Sequence, residues 1–400
     1  MEQAFLADGG NWKYFQINSL FNIYRGNIQN QDKLVDDING IAFIAQNDRN
    51  NGYVKQVKIT DNRLFKGNVL IIGRQTGIVY FQNHDFVTTD GVLVLTPKNG
   101  LMLNKNTGLF VKTIVQKQLV IFGYTNTVSV RKLNEISIPL PVKNNQIAFG
   151  YMQRVVQELQ AERLQELQAY LQATGLSDYV WSKQEKSALD LLENVNAQGG
   201  VKPFKIKELF SNIQQGERLT KADQISGSLK WKEFNLKELF GAATRGKRLK
   251  STDRIPGELP FVTAGEADVG ISDFIGNDVD VFAANTVTID MFGSAKYRNY
   301  QYGADDHVAV VHSQNWQKHA VLFLAAAIHK VANAGQFSYS RNFYAKDADE
   351  LNILLPEKDG KPDTELMSQI GRAIEKLVIA DVVKFNEREL AAYRQTIQAA

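Results

Sequence analysis

The chain has 400 residues, 44% hydrophobic and 22% charged, with a formal net charge of +3. That length exceeds one ordinary core and suits two folded domains, and no apolar run approaches the roughly 20 residues a membrane span needs. The absence of cysteine removes disulfides and thiolate metal sites and fits a reducing cytoplasm, the N-terminus lacks the charged start and apolar core of a signal peptide, and the mild positive charge permits a polyanion partner without requiring one.

The chain opens on WKYFQINSLF, Trp12–Phe21, and a second version, WKEFNLKELF, occupies Trp231–Phe240. A third, shorter version, FKIKELF at Phe204–Phe210, continues in register with the second as far as Gly227. The repeat extends along the chain. Arg25-Gly26 matches Arg245-Gly246, and IAFIAQNDRNNG from Ile41 matches LPFVTAGEADVG from Leu259. NVLIIG from Asn68 matches NTVTID from Asn285, and Asp90 falls over Asp306. FGYTNTVSVRKLNEISIPLP from Phe122 matches FSYSRNFYAKDADELNILLP from Phe337 without a gap. Five matches in one order, at an offset that stays between about 215 and 220, indicate a duplication.

Within each copy, the opening motif reads as a short amphipathic helix, because Phe, Leu, Leu and Phe recur at helical spacing. Short apolar runs bounded by Gly, Asn and Asp follow. VLIIG, VLVLT and LVIFG in the first copy read as strands. ISIPLP and NILLP read as closing strands whose prolines mark an edge or a strand end. After each copy comes a long proline-free helical pattern, about residues 146–173 and 364–397, with apolar residues spaced by three and four as in a helix-pairing seam. About 30 residues make a helix of roughly 45 Å. Gly175 ends the first of these. A connector follows, with a short helix from Ser182 whose capping box is completed by Glu185. The partial copy at 204–227 reads as an incomplete duplication within the linker.

Motifs for chemistry are missing or incomplete. GAATRGKR, Gly241–Arg248, fits Gly-x-x-x-x-Gly-Lys, but Arg248 stands where a phosphate loop needs Ser or Thr, and a helix precedes it instead of a strand. The five histidines, His84, His307, His312, His319 and His329, have no metal-ligand spacing. What stands out is charge placement. Residues 91–134 contain no Asp or Glu but six Lys and Arg residues, and residues 307–346 repeat the pattern. Arg245–Arg254 adds five basic residues against one acid. Such faces, with Tyr, Asn, Gln and Arg interleaved, suit duplex DNA: cations neutralise phosphate and the planar polar groups can read base edges.

A Trp-Lys-x-Phe-x-Leu-x-x-Leu-Phe opening, an Arg-Gly turn, an LPFVTAG strand, an ISIPLP or NILLP ending and a long helix, all in two copies, resemble the specificity subunit of Type I restriction–modification systems and its Type IIB-like relatives. The connector GLSDYVWSKQEKSALDLL carries the same resemblance, whereas IAFIAQN in the first copy and the partial third copy depart from the family pattern. The resemblance implies an α+β chain: two duplicated mixed α/β target-recognition domains separated by two long antiparallel helices that form a pseudo-twofold coiled coil. The implied boundaries are 1–145 and 231–358 for the domains, 146–174 and 359–400 for the spacer helices, and 175–230 for the connector. It further implies a non-catalytic, cytoplasmic subunit that uses no cofactor, recognises a bipartite asymmetric double-stranded DNA target, and directs two methyltransferase subunits and a restriction/translocase subunit to it. Methyl donor, magnesium and ATP would belong to those partners.

Charge and position nominate DNA contacts at Arg25, Arg74, Lys112, Lys117, Tyr124 and Arg131 in the first copy, and at Arg245, Lys247, Arg248, Lys296, Arg298, Tyr339 and Arg341 in the second. Gln157, Arg163, Glu166, Lys376 and Glu387 are nominated as solvent-facing helix positions for partner docking. Trp12, Phe15, Trp231 and Phe234 are assigned to the core. Two rivals stay open at this point: a protein-interaction scaffold with duplicated domains on paired helices, and a nuclease or methyltransferase with an unrecognised site.

Overall fold

The computed structural model describes residues 1–58, 63–98, 100–198 and 229–398. The chain divides into two compact units. The first comprises Met1–Leu167 with Arg388–Ala400, the second Gln168–Glu387.

In the first unit the elements run α1 (Glu2–Ala7), β1 (Asn11–Gln16), α2 (Ile17–Leu20), β2 (Phe21–Arg25), β3 (Asp36–Ile44), β4 (Tyr53–Val57), β5 (Val69–Gly73), β6 (Val79–Gln82), β7 (Phe86–Thr88), β8 (Val92–Pro97), α3 (Lys105–Gln118), α4 (Val130–Asn134), β9 (Ser137–Lys143), β10 (Gln146–Ile147) and the start of α5 (Phe149–Ala173). They form three sheets of order β1-β9-β10, β2-β8-β5-β6 and β4-β3-β7. The uninterrupted apolar run VLIIG becomes a strand because both of its faces are covered. Leu70 and Ile72 enter the main core with Val111 and Val115 of α3, while Val69 and Ile71 enter a second cluster with Phe65 and Phe86. β8 does the same, Leu93 and Leu95 to one side and Val92 and Val94 to the other. A capping box between Asn104 and Thr107 starts α3.

The second unit holds α6 (Lys183–Gln198), β11 (Trp231–Asn235), α7 (Leu236–Phe240), β12 (Thr244–Arg245), β13 (Pro256–Val262), β14 (Ile271–Ile275), β15 (Thr286–Asp290), β16 (Ala295–Arg298), β17 (Gly303–Ala304), β18 (Val308–Val311), α8 (Lys318–Ala332), α9 (Ala345–Glu350), β19 (Asn352–Lys358), β20 (Lys361–Pro362) and most of α10 (Thr364–Gln398). Its sheets, β11-β19-β20, β12-β18-β15-β16 and β14-β13-β17, repeat those of the first unit strand for strand. Even the rare backbone states repeat: Asn68 and Asn285 both have positive φ, as do Asn144 and Asp359. The duplication read from the sequence is therefore a duplication of fold.

Several elements differ from expectation. The opening motif is a strand followed by a single helical turn, not a helix: Trp231–Asn235 pairs along β19, and only Leu236–Phe240 is helical. LVIFG is no strand, because Leu119 caps α3 and the chain then turns back through Gly123–Asn126. β9 is the middle strand of its sheet, yet β10 pairs only with Val142 and Lys143; beyond it Pro141 accepts from Ala148 N–H at 2.8 Å, a bond that asks for no donor from proline. Trp12, Phe15, Trp231 and Phe234 are half-buried. Phe15 and Phe234 pack on the cores of their units. α5 ends before a left-handed Gly175, and Ser177 N–H donates back to Leu171 O. The Ser182–Glu185 capping box is formed in both directions. The partial repeat at 204–227 lies outside the described residues.

Candidate nucleic-acid interface

In both units the chain makes an Arg-Gly step beside an aspartate loop. In the first, Arg25 donates from Nε to Asp90 O at 2.7 Å and lies 3.4 Å from the Asp90 carboxylate. Glycine follows because the backbone passes too close to its neighbour for any side chain. A Cβ on Gly26 would fall 2.1 Å from Thr89 O, and one on Gly246 would fall 1.7 Å from Ala304 O. Arg245 and Arg248 are exposed on and just after β12. Lys247 reaches Asp280 at 3.0 Å, an exposed pair worth little in stability. Asp305 holds the same loop by accepting from Leu249 N–H at 3.2 Å.

A second feature recurs at the end of α3 and of α8. In the first unit Gly123 and Asn126 exchange backbone hydrogen bonds of 3.1 and 3.0 Å, closing a turn with Tyr124 and Thr125 at its tip. In the second, Ser338 and Arg341 exchange bonds of 2.9 and 3.1 Å around Tyr339 and Ser340. Both tyrosines project into solvent, Tyr124 at 78% and Tyr339 at 85% exposure. Each turn is anchored to the loop after the central strand by an equivalent bond, Val128 N–H to Arg74 O at 2.7 Å and Phe343 N–H to Met291 O at 2.9 Å.

The cations of these turns are engaged. Lys132 donates to Asn126 Oδ1 at 2.7 Å and Thr127 O at 2.8 Å, and stands 5.4 Å over the Phe122 ring. Arg341 stands 5.1 Å over Phe337 and forms a two-pronged pair with Asp347. Burial pushes the Asp347 carboxyl up, but the bonds from Arg341 and from Tyr344 N–H outweigh it and leave it below its ordinary value. The Asp347 hydrogen bond raises Arg341 in turn.

The remaining nominated residues divide. Lys117 and Arg131 are exposed, Arg131 lying 3.7 Å from Glu135, while Arg74 and Lys112 are half-buried. Two nominations are overturned by burial. Arg298 is 1% exposed: its guanidinium donates to Thr288 Oγ1, Val269 O and the Tyr300 hydroxyl, which makes it a polar core residue. Lys296 is enclosed by Glu266 at 3.1 Å, Ser294 Oγ at 2.8 Å and Asp290 at 3.5 Å, and the bonds from Ser294 and Lys296 hold the Glu266 carboxyl below its usual value. Among the helix nominations, Lys376 is also overturned as a solvent-facing residue. Its ammonium contacts Asp178 at 2.7 Å, Val180 O at 2.8 Å and Glu185 at 3.1 Å, in a buried network that packs α6 on α10. Arg163 pairs with Glu166 at 2.5 Å on the surface, Gln157 is half-buried, and Glu387 is exposed and accepts from the Tyr179 hydroxyl at 3.4 Å.

Sequence reasoning missed two local arrangements. Arg63 lies 4.5 Å over Tyr24 and 5.2 Å over Phe65, a stack between residues some 40 positions apart that no spacing rule reveals. Asp305, Asp306 and His307 bring three potential ligand atoms within 4.8 Å of one another, with the imidazole 3.0 Å from Asp306. That trio is contiguous and was legible as a polar loop.

The chain is 25% identical over 378 residues to the Type II restriction enzyme BgcI specificity subunit S.BcgI of Heyndrickxia coagulans, covering 91% of this chain and 95% of that protein. Its fold is similar to that of a Type-I restriction-modification system S subunit from M. genitalium, with a TM-score of 0.56 at 17% identity, over 97% of this chain and 94% of the other. The family model for the Type I restriction modification DNA specificity domain matches twice, at residues 9–169 and 228–384, once in each copy of the repeat. The chain therefore belongs to the Type I restriction modification DNA specificity domain family, and it is a specificity subunit that recognises a bipartite DNA target and directs partner subunits to it.

Proposed function

We propose that each unit is a target-recognition domain reading one half of an asymmetric duplex site, with residues 1–145 and 231–358 as the readers. The observation that carries this reading is the recurrence, in two copies with divergent side chains, of an Arg-Gly step and a tyrosine-tipped turn on the same scaffold. Identical scaffolds supply the same approach to the duplex, and the side chains that differ between the copies supply different bases, so the target is asymmetric. Arg25, Arg245, Lys247, Arg248, Lys117 and Arg131 are the phosphate-contacting candidates, being exposed cations on the reading units. Arg74 and Lys112, half-buried, are weaker ones.

The helices α5 and α10 serve as the ruler between half-sites, paired antiparallel as a coiled coil about a pseudo-twofold axis. Their apolar stripes, spaced by three and four residues, support this. Gln157, Arg163, Glu166 and Glu387 then face the methyltransferase subunits, two in number, and a restriction/translocase subunit completes the assembly. The chain itself is non-catalytic, binds no cofactor and works in the cytoplasm. Among the described residues no helix is long and apolar enough to cross a membrane.

A mobility-shift titration tests the reading. The chain, with a methyltransferase partner, binds duplex DNA with an affinity that falls steeply with salt, each phosphate contact contributing about −0.9 to the log–log slope. Arg25→Ala and Arg245→Ala each reduce that slope by about one. A flat salt response sinks the proposal.

A further inference from the structure

We propose that Tyr124 and Tyr339 are matched base-contacting residues, one per half-site, each meeting the 5-methyl edge of a thymine in the groove. The inference deepens the DNA-reading assignment above and rests on it. It also reverses the emphasis of the charge pattern, because the cation beside each tyrosine braces the turn and the aromatic ring is the group left to make contact.

The geometry separates the two roles. Lys132 lies after the first turn and bonds backward onto Asn126 and Thr127, while Arg341 lies on the second turn and bonds forward onto Asp347. The two units reach the same end from opposite chain directions, and in both the cation also sits over the phenylalanine that enters the turn. A glycine also packs against the end of the helix that precedes each turn. Gly77 and Gly293 adopt φ of 68° and 83°, and a Cβ would fall 3.2 Å from Leu119 O in the first unit and 2.0 Å from Ala332 O in the second. Each tyrosine thus stands at the tip of a closed and anchored turn. Tyr339 is further steadied edge-on by Phe292, with centroids 5.1 Å apart and planes at 83°.

The chemistry at the tips favours bases over phosphates. A tyrosine cannot neutralise phosphate, and Tyr124 is flanked by Val120 and Ile121, exposed apolar side chains that gain nothing from a solvated sugar–phosphate rail. The major groove, about 12 Å wide, admits a two-stranded ribbon and presents the thymine methyl as its apolar landmark. Side chains carried on a rigid turn lose little conformational freedom on contact, which suits discrimination.

The test compares wild type, Tyr124→Ala, Tyr339→Ala and the two Tyr→Phe variants in full-length chain assembled with its methyltransferase partner, on a selected target and on targets with single thymine-to-uracil replacements. Both tyrosines are exposed, so melting temperatures check that folding is unchanged. In wild type, uracil at one position of each half lowers affinity about 4-fold, the scale of one buried methyl group. Tyr124→Ala abolishes the uracil effect in one half only and Tyr339→Ala in the other, each losing roughly 5-fold to 10-fold in affinity with the salt slope unchanged. Phenylalanine retains the effect. Tyr→Phe losing as much affinity as Tyr→Ala, with the uracil effect intact, makes the tyrosine hydroxyl a phosphate contact and overturns the proposal. Loss of partner assembly with unaltered DNA binding makes the turn a protein interface and also overturns it. Absence of sequence-specific binding by the wild type instead refutes the DNA-reading assignment itself.

Discussion

Replacing Lys376 by Met tests the buried network most sharply. The ammonium bridges Asp178 and Glu185, and Glu185 has a side chain only 3% exposed. Methionine keeps much of the length but leaves Glu185, among the described residues, its cap bond from Ser182 N–H and a distant Arg372 at 3.9 Å. Removing one member of a buried pair costs about 3–5 kcal/mol, mostly from the stranded charge. Asp178, more exposed, contributes only a small part of this. For a unit of this size about 2–4 °C accompanies each kcal/mol, so the melting temperature of the second unit falls by roughly 6–20 °C. Differential scanning calorimetry on wild type, Lys376→Met and the Lys376→Met/Glu185→Gln pair reads this directly. The double variant recovers part of the loss, because the stranded carboxylate is gone. A fall under about 0.5 kcal/mol, the range of a surface substitution, refutes the claim that Lys376 is a buried clamp.

Three further outcomes follow from the same contacts. Glu375 accepts from Lys318 Nζ and His319 Nε2, each at 2.7 Å, joining α8 to α10. Burial pushes its carboxyl up, but these bonds outweigh it and hold it below the ordinary value. A depressed carboxylate stabilises above its unfolded value and loses that contribution as pH falls through its folded value. Glu375→Gln therefore melts lower at pH 7 by about 1–2 kcal/mol equivalent, and the gap from wild type closes in melts stepped downward from pH 5; a gap independent of pH argues against it. Gly246→Ala forces backbone apart where a Cβ would meet Ala304 O, so the second unit loses several kcal/mol or fails to fold, whereas Gly241→Ala, facing open space but with φ 78° and ψ −175° in a region essentially confined to glycine, costs about 1–3 kcal/mol in urea denaturation. Arg25→Ala, which breaks a half-exposed pair with Asp90, shifts stability by under about 1 kcal/mol while weakening DNA binding, and equal losses in both would make it structural.

The duplication, the long helices and the buried strands were legible because each follows from local pattern. VLIIG is apolar at every position and has cover on both faces, and the Ser182–Glu185 box needs only a three-residue spacing. The roles of the cations were not legible, because they depend on which acids the fold brings in from elsewhere. Residues 307–346 contain no acid, yet Asp347 and Glu375 reach Arg341, Lys318 and His319. Lys296 meets Glu266, 30 residues away, and Arg298 finds a hydroxyl and a carbonyl inside the unit. Linear charge counts thus overstated the free positive surface. The gap-free alignment of Phe122 with Phe337 did place Tyr124 over Tyr339, and the structure gives that coincidence its meaning, since both occupy the same position of the same closed turn.

The central claim is that two copies of one scaffold read two different half-sites. Selection of the full chain with its methyltransferase partner against a library of random duplexes tests it most directly. The account predicts a consensus of two unlike short blocks at a fixed separation of roughly one duplex turn, with substitutions in either unit altering one block alone. A single uninterrupted block, or two blocks altered together by a change in one unit, would contradict it.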